Sequence, residues 1–248
     1  MKNVLILLLV CAVISCKEQK KETLTAQNIV DKAIVVSGGE LYPSSKVSFD
    51  FRDKHYISEG IGNKGVLKRI FEVDGKKVED IKSSTKFERY IDGNLEVLHD
   101  TVANAYDNAV NSVHYFVKLP YGLNDPAVNK TLLETETIKG KEYYKIKVTF
   151  EQAGGGDDFE DTYLYWINKE TFKPDYLAYD FHVNDGGVRF RAAYNERFVN
   201  GIRFVDYENY KPKDDATTID QIGAKYQSGE LELLSKIELN NVAVDRLD

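Results

Sequence analysis

The chain has 248 residues, a length typical of one large domain or two small ones. Its 33 Lys and Arg against 40 Asp and Glu give a formal charge of −7, which argues against a nucleic-acid partner because phosphate binding requires clustered cations. A hydrophobic content of 42%, with 16 Tyr and 12 Phe, suffices for a buried core and favours strands. The two Cys, Cys11 and Cys16, exclude a disulfide scaffold and a cysteine-based zinc site.

The first sixteen residues indicate export and lipidation. Lys2 precedes an apolar stretch, residues 4–14, that is too short to cross about 30 Å of hydrocarbon and has the form of a secretory signal peptide. The stretch ends in Val13-Ile14-Ser15-Cys16, which resembles a bacterial lipobox. The resemblance implies cleavage after residue 15 and acylation of Cys16, which would anchor the protein to a membrane. An ordinary signal peptide with a chance Cys is the alternative.

The remaining chain is predicted to form a tether and one domain. Residues 16–23 are charged and lack large apolar side chains, which is typical of a flexible linker. Residues 24–248 show no compositional break and are predicted to form a single β-dominated domain. No Asp follows Cys16, so the inner-membrane retention signal of enteric bacteria is missing. We therefore expect an outer-membrane lipoprotein of the cell envelope, facing the periplasm or the surface.

Two helices are predicted within a series of hairpins. The first begins at Thr25, extends over residues 25–34 and ends at Ser37-Gly38-Gly39. The second is capped by Asp100-Thr101, keeps a 3.6-residue apolar period and ends before Leu119-Pro120. Asp-Gly, Asn-Gly and related pairs indicate tight turns, since type I′ turns require positive φ at both central residues. These pairs are Asp74-Gly75, Asp92-Gly93, Lys139-Gly140 and Asn200-Gly201.

The last two hairpins allow a prediction of strand register. A two-residue turn at Asn200-Gly201 pairs Tyr194 with Tyr207, and a four-residue loop over residues 184–187 pairs Phe181 with Phe190. One sheet face is then apolar and rich in tyrosine, and the other is charged. The apolar face would contain Leu177, Tyr179, Phe181, Val183, Val188, Phe190, Ala192, Tyr194, Val205 and Tyr207. The charged face would contain Tyr176, Asp180, His182, Arg189, Arg191, Asn195 and Asp206.

This order of elements resembles the half-barrel of LolA- and LppX-type lipoprotein carriers. The segment Tyr163-Leu164-Tyr165-Trp166-Ile167-Asn168-Lys169-Glu170-Thr171-Phe172-Lys173-Pro174 is similar to a strand-turn-Pro stretch of that superfamily. The run from Tyr115 to Tyr210 also resembles an uncharacterised family of Gram-negative, Bacteroidetes-type lipoproteins. The resemblance implies a mainly β (α+β) fold, an antiparallel half-barrel meander whose concave face is covered by an N-terminal helix and one inserted helix. It also implies that this face shelters a lipid or another hydrophobic molecule.

The resemblance carries over no functional residue except Cys16, so the candidate ligand residues follow from the hypothesis that a ligand lies against the apolar face. The residues expected to line or border the ligand cavity are Trp166, Tyr179, Phe181, Phe190, Tyr194 and Tyr207. His182, Arg189 and Arg191 could contact an anionic head group, because arginines suit carboxylates and phosphates. The alternative is a solvated face with weak cross-strand ion pairs.

No catalytic or metal-binding motif is present. The four histidines (His55, His99, His114 and His182) lack metal-ligand spacing, and neither a Gly-x-Ser-x-Gly nor a His-Glu-x-x-His sequence occurs. The acidic segment after Gly154-Gly155-Gly156 does not follow the EF-hand order, so a solvated loop is favoured over a Ca²⁺ site. We expect no catalytic residue, metal or cofactor.

Three hypotheses remain for the function. The first is a membrane-anchored protein that binds a hydrophobic ligand. The second is a structural lipoprotein with a fully packed core that docks another envelope protein. The third is an envelope hydrolase.

Overall fold

The computed structural model describes residues 24–60, 65–153, 159–182 and 186–247. The signal peptide, Cys16 and the tether lie outside these residues. Three α-helices occur in the described ranges: α1 (Ala26–Val36), α2 (Asp100–Val117) and α3 (Ile222–Ser228). The strands there are β1 (Ser45–Phe51), β2 (Lys54–Glu59), β3 (Val66–Val73), β4 (Lys76–Lys82), β5 (Phe87–Ile91), β6 (Asn94–Glu96), β7 (Val128–Leu132), β8 (Glu136–Ile138), β9 (Lys141–Phe150), β10 (Tyr163–Asn168), β11 (Pro174–Phe181), β12 (Gly187–Val199), β13 (Ile202–Pro212), β14 (Leu231–Ile237) and β15 (Asn240–Arg246).

The strands form two open antiparallel sheets. Sheet I has the order β15-β1-β2-β3-β4-β5-β6, and sheet II has the order β14-β13-β12-β11-β10-β9-β7, with β8 also paired to β9. Strands β14 and β15 are consecutive in the chain, so the chain passes directly from sheet II into sheet I. The predicted mainly β half-barrel is confirmed.

The predicted tight turns are confirmed. Asp74, Asp92, Lys139 and Asn200 all have φ between 46 and 51°, and the glycine after each also has positive φ. This is the backbone of a type I′ turn, whose twist matches that of the flanking strands. Each turn joins two neighbouring strands of the same sheet.

Helix α1 covers the inner face of sheet II. Thr25 and Asn28 form a reciprocal capping box at its N-terminus, and Ile29, Val30 and Ala33 are buried in the core shared with that sheet. The helix ends at Gly38, whose φ is +69°. A Cβ atom at this position would lie 1.9 Å from the carbonyl oxygen of Gly201, so only glycine permits the close approach of this turn.

Helix α2 lies inside the half-barrel and contacts both sheets. His114 packs edge-on against the rings of Phe49 and Tyr56 in sheet I, with centroids 5.7 and 5.6 Å away. Phe116 packs against Tyr163 and Tyr179 in sheet II, at 6.4 and 5.7 Å. The predicted inserted helix is thus confirmed, and it is the element that joins the two halves of the interior.

Part of the predicted register of sheet II is wrong. Val199 pairs with Ile202 as expected, but a bulge at Asn195, whose φ is +49°, shifts the ladder so that Ala193 rather than Tyr194 opposes Tyr207. In the preceding pair, Phe181 opposes Gly187 rather than Phe190. Shifts by an odd number of residues move a strand's side chains to the opposite face. Of the predicted loop over residues 184–187, residues 184 and 185 lie outside the described residues.

Candidate ligand-binding groove

Sheet I carries a row of polar and aromatic side chains on the face that α2 covers. Direct cross-strand pairing aligns Phe49, Tyr56, Arg69, Asp80 and Arg89 in one row. A parallel row closer to the turns contains Phe71, Val78 and Ile91. Because strand side chains alternate between faces, both rows point to the interior that α2 occupies.

A groove of about 750 Å³ runs between this face of sheet I and the first half of α2. This volume falls within the range of about 300–1,000 Å³ that is usual for small-molecule sites. The apolar lining residues are Phe71, Val73, Val78, Ile91, Ala105, Tyr106 and Ala109, and the charged ones are Lys54, Arg69, Asp74, Lys76 and Arg89. The groove therefore combines an apolar wall with several cations.

Two arginines share one buried carboxylate at the groove. Arg69 donates from Nε and Nη2 to Asp80 Oδ2 at 2.9 and 2.6 Å. Arg89 donates from Nε to Oδ1 at 2.6 Å and from Nη2 to Oδ2 at 2.9 Å. The Asp80 side chain is 0% exposed, and those of Arg69 and Arg89 are 9% and 11% exposed. Two guanidinium groups and one carboxylate leave one positive charge in excess, because arginine stays protonated.

Aromatic rings of the groove form cation–π contacts with Arg69, Arg89 and Lys54. The Arg89 guanidinium lies 3.4 Å from the centroid of the Tyr106 ring, which belongs to α2. The Phe71 ring has Lys54 Nζ at 4.9 Å, Arg69 Cζ at 5.4 Å and Arg89 Cζ at 5.8 Å. Cations at these distances are attracted to the ring face, so the rings fix the arginine positions.

The inner face of sheet II, by contrast, is filled by packed side chains. Tyr163, Tyr165 and Tyr207 on this face belong to the buried core that includes α1. A cavity of only about 30 Å³ remains under the C-terminal end of α2, between Phe116, Arg191 and Tyr207. A volume of this size holds about one water molecule. The groove on sheet I is thus the larger opening of the interior.

The residues predicted to contact the ligand do not form one site, because they lie on both faces of sheet II. Tyr179 and Tyr207 pack in the core under the helices on the inner face of sheet II, and Phe181 neighbours Tyr179 at 6.2 Å between ring centroids. Trp166 and Phe190 are fully buried on the opposite face, 5.4 Å apart and beneath α3. The half-buried Tyr194 donates its hydroxyl to Glu238 Oε1 at 2.8 Å. The structure brings Tyr179, Phe181 and Tyr207 to one face and leaves Trp166 and Phe190 on the other.

The three predicted anion contacts also differ in environment. His182 is exposed and pairs with Asp161 at 3.2 Å, which raises the pKa of the imidazole. The Arg189 guanidinium lies 4.8 Å from the Phe181 ring. Arg191 is 8% exposed, lies 4.0 Å above the Phe116 ring and donates from Nη2 to the Tyr179 hydroxyl at 3.0 Å. Among the described residues, no carboxylate pairs with Arg191, and its buried Nε has no hydrogen-bond partner.

A second cavity, of about 250 Å³, opens beside the C-terminal half of α2. Burial lowers the pKa of Lys118 in its wall to about 8, and attraction to Asp125 offsets part of this effect. Burial also raises the pKa of Tyr115 to about 12. The cavity is smaller than the groove, and we regard it as a secondary candidate.

Acid should destabilise the fold through His114. Burial, then repulsion by Lys118, lowers the pKa of this 1%-exposed imidazole to about 3, whereas an unfolded histidine titrates near about 6.5. Between these values the unfolded chain binds the extra proton, so stability falls as the pH falls, by up to about 1.4 kcal/mol per pH unit. We expect His114→Leu to flatten the dependence of unfolding free energy on pH between about 6 and 4 relative to wild type.

His99→Asn is the matched control for this experiment. It also removes an imidazole, but Asn keeps the side-chain acceptor that caps α2 at this position. We expect urea unfolding of this variant to show the wild-type slope with pH. An unchanged slope in the His114→Leu protein would show that His114 does not cause the acid sensitivity.

These features define a protein class: an open antiparallel half-barrel with internal helices and an internal groove. The chain matches the model of a family described as a family of unknown function (DUF6503) over residues 2–239, and it belongs to that family. The expected membership of a family without known function is confirmed, while its Gram-negative, Bacteroidetes-type origin stays a prediction. No curated protein matches the sequence significantly.

Solved structures that align with this chain share little sequence with it. A DUF1329 family protein from Desulfovibrio piger is 12% identical, with a TM-score of 0.52 over 90% of this chain and 94% of the other. A LolA superfamily protein from Nitrosomonas europaea is 14% identical, with a TM-score of 0.48 over 91% and 94% of the two chains. The lipoprotein LppX from Mycobacterium tuberculosis is 13% identical, with a TM-score of 0.28 over 64% and 90%. At these identities only the fold is compared.

Two further properties concern the described residues alone. In those ranges, no helix is both long and apolar enough to cross a bilayer. Nor does any group of three His, Cys, Asp or Glu side chains converge there in a way that could hold a metal ion.

Proposed function

We propose that this protein binds a hydrophobic or amphiphilic molecule in the groove between sheet I and α2. The observation that carries the proposal is the 750 Å³ opening with an apolar wall, which is larger than the cavities of about 250 and 30 Å³ beside the C-terminal half of α2. Apolar walls with a few fixed polar groups are typical of ligand sites. The ligand position proposed here replaces the predicted aromatic set, because Trp166 and Phe190 are fully buried under α3.

We further propose that the protein acts at the cell envelope, anchored through acylated Cys16. A tether of eight residues, 16–23, extends at most about 28 Å, so the domain would remain close to the membrane surface. The outer membrane is the proposed location, on either its periplasmic or its surface face. A hydrophobic ligand could then pass between the bilayer and the groove over a short distance.

The proposed role is one of binding rather than catalysis. The charged groups at the groove are engaged with each other and with aromatic rings, as the four hydrogen bonds to Asp80 illustrate. Such an arrangement fixes side chains and favours recognition of a ligand.

Blocking the groove should weaken binding of a neutral probe. Ala105 lines the groove and is exposed, so Ala105→Phe places a ring in the opening without disturbing the core. We expect fluorescence titration with N-phenyl-1-naphthylamine to show saturable binding to the wild type and at least about tenfold weaker binding to this variant, a difference of about 1.4 kcal/mol. The proteins carry Cys16→Ser to prevent acylation.

Asn104→Phe is the control for added hydrophobic surface. Asn104 is exposed on the same helix but does not line the groove. We expect this variant to bind the probe as the wild type does. Equal affinity of the Ala105→Phe and Asn104→Phe proteins, or no saturable binding to the wild type, would contradict the proposal.

A further inference from the structure

We propose that the groove selects amphiphiles with an anionic head group, which the excess positive charge of Arg69, Asp80 and Arg89 would bind. This inference rests on the proposed function and specifies the chemistry of its ligand. The shared chemistry is a carboxylate or phosphate attached to an apolar chain.

The charge of the groove is opposite to that of the whole chain. The protein has a formal charge of −7, yet the groove is lined by the cations Lys54, Arg69, Lys76 and Arg89. The anions of this region are Asp80 between the arginines, Asp74 on the rim and Asp53, which pairs with Lys54 at 2.8 Å and is 71% exposed. Four cations against three anions leave an excess of one positive charge, and that excess lies at the buried end of the groove.

Acidic side chains nearby do not cancel this charge. Glu96 opposes Arg89 across β5 and β6, but the residue is exposed, and among the described residues it forms no ion pair with Arg89. Asp107 of α2 pairs with Lys82, in a different row of the sheet. An uncompensated charge with little access to water is costly, so an arriving anion gains more here than at an exposed lysine.

Three cations of the groove lie around one aromatic ring. Asp80 accepts hydrogen bonds from Nε and Nη2 of both arginines, and the hydroxyl groups of Tyr56 and Tyr106 also interact with Arg69 and Arg89. Lys54, Arg69 and Arg89 all lie within 5.8 Å of the Phe71 ring centroid, and Phe71 itself lines the groove. An anionic group near Phe71 would therefore meet three cations that are already positioned.

The apolar wall begins beside these cations. Val73, Val78 and Ile91 continue the groove on sheet I, and Ala105 and Ala109 form the facing side on α2. A hydrocarbon chain that extends from a head group at Phe71 would bury its apolar surface there, which favours binding in proportion to the area removed from water. The cations and the apolar residues are thus arranged for an amphiphile whose head group lies at Phe71 and whose chain extends along the apolar wall.

The test compares an acid with its ester. Fluorescence titration of the Cys16→Ser protein with cis-parinaric acid and with its methyl ester varies the head-group charge while the chain stays the same. We expect the acid to bind at least about tenfold more tightly than the ester. Arg89→Met leaves a neutral Arg69–Asp80 pair, and it should weaken acid binding about tenfold while ester binding changes less than about twofold.

Two variants separate charge from structure. Lys77→Met removes one positive charge from an exposed position that the groove does not include, and it should leave both affinities unchanged. Arg89→Lys keeps the charge and should retain most of the acid preference. Circular dichroism confirms that each variant is folded before titration.

Competition identifies the source of the anion. Oleate and lysophosphatidic acid should both displace bound cis-parinaric acid, and the stronger competitor shows whether carboxylate or phosphate is preferred. Monoacylglycerol, which is neutral, should displace it poorly. Equal wild-type affinity for acid and ester, or an equal loss of both in Arg89→Met, would overturn the anionic head group and leave the proposed function intact. Absence of binding by either probe would contradict the proposed function itself.

Discussion

Replacement of Asp80 by Asn should lower the free energy of unfolding by about 3–5 kcal/mol, because it removes the only negative charge between two nearly buried arginines. Asp80 accepts four hydrogen bonds from Arg69 and Arg89, and its side chain is 0% exposed. An amide can accept some of these hydrogen bonds but cannot compensate the charges. Urea unfolding followed by circular dichroism measures the loss.

Asp74→Asn is the matched control for Asp80. It makes the same chemical change at the exposed first position of the β3–β4 turn, where φ is +51° and Asn is favoured. We expect a change within about 0.5 kcal/mol. If Asp80→Asn were equally mild, the arginines would not depend on this carboxylate, and the rigid cationic end of the groove would lose its structural basis.

Phe190→Ala should lower the free energy of unfolding by about 3–5 kcal/mol while the folded protein still binds N-phenyl-1-naphthylamine normally. The Phe190 ring is fully buried, 4.4 Å from the Tyr226 ring of α3 and 5.4 Å from that of Trp166. Its truncation leaves a cavity on the outer face of sheet II. The groove lies against sheet I, so its walls should remain in place.

Phe198→Ala provides the comparison for this loss. Phe198 lies on the same strand, but 49% of its surface is exposed, so we expect a loss below about 1 kcal/mol. Chemical unfolding and probe titration on the same samples give both quantities. A large loss of probe affinity in folded Phe190→Ala protein would instead support the predicted ligand set that includes Phe190.

Local chemistry determined which parts of the fold could be predicted. Asp74-Gly75 and Asn200-Gly201 specify their turns through backbone preferences of two residues, and Thr25 specifies the start of α1 through its own side chain. The bulge at Asn195 could not be predicted in this way. Its left-handed backbone is stabilised by contacts distant in sequence, such as the 2.6 Å hydrogen bond from Asn195 Nδ2 to Asp206 Oδ2.

Helix α3 shows a second limit of sequence patterns. It spans only seven residues, and its apolar residues Ile222 and Tyr226 are too few to establish a helical period. The helix matters because it covers Trp166 and Phe190. Without this helix, Trp166 and Phe190 have the pattern of an open apolar surface, which is why the sequence predicts them as ligand contacts.

The groove residues were missed for a related reason. Arg69, Asp80 and Arg89 lie in three different strands, each directly after another charged residue, a pattern that is typical of a solvated sheet face. One signal was available, since the two-residue turn at Asp74-Gly75 already implies that Arg69 opposes Asp80. The burial of this pair by α2 depends on the packing of the whole chain, which the strand pattern alone does not indicate.

Mass spectrometry shows whether the groove holds a hydrophobic molecule, as we propose. The Cys16→Ser protein, purified without detergent, is extracted with organic solvent and compared with the Cys16→Ser, Ala105→Phe double variant. We predict about one lipid-like molecule per chain in the first extract and strong depletion in the second, in line with occupancy of a single site. Equal amounts in both extracts, or no such molecule even after incubation with envelope lipids, would contradict the claim.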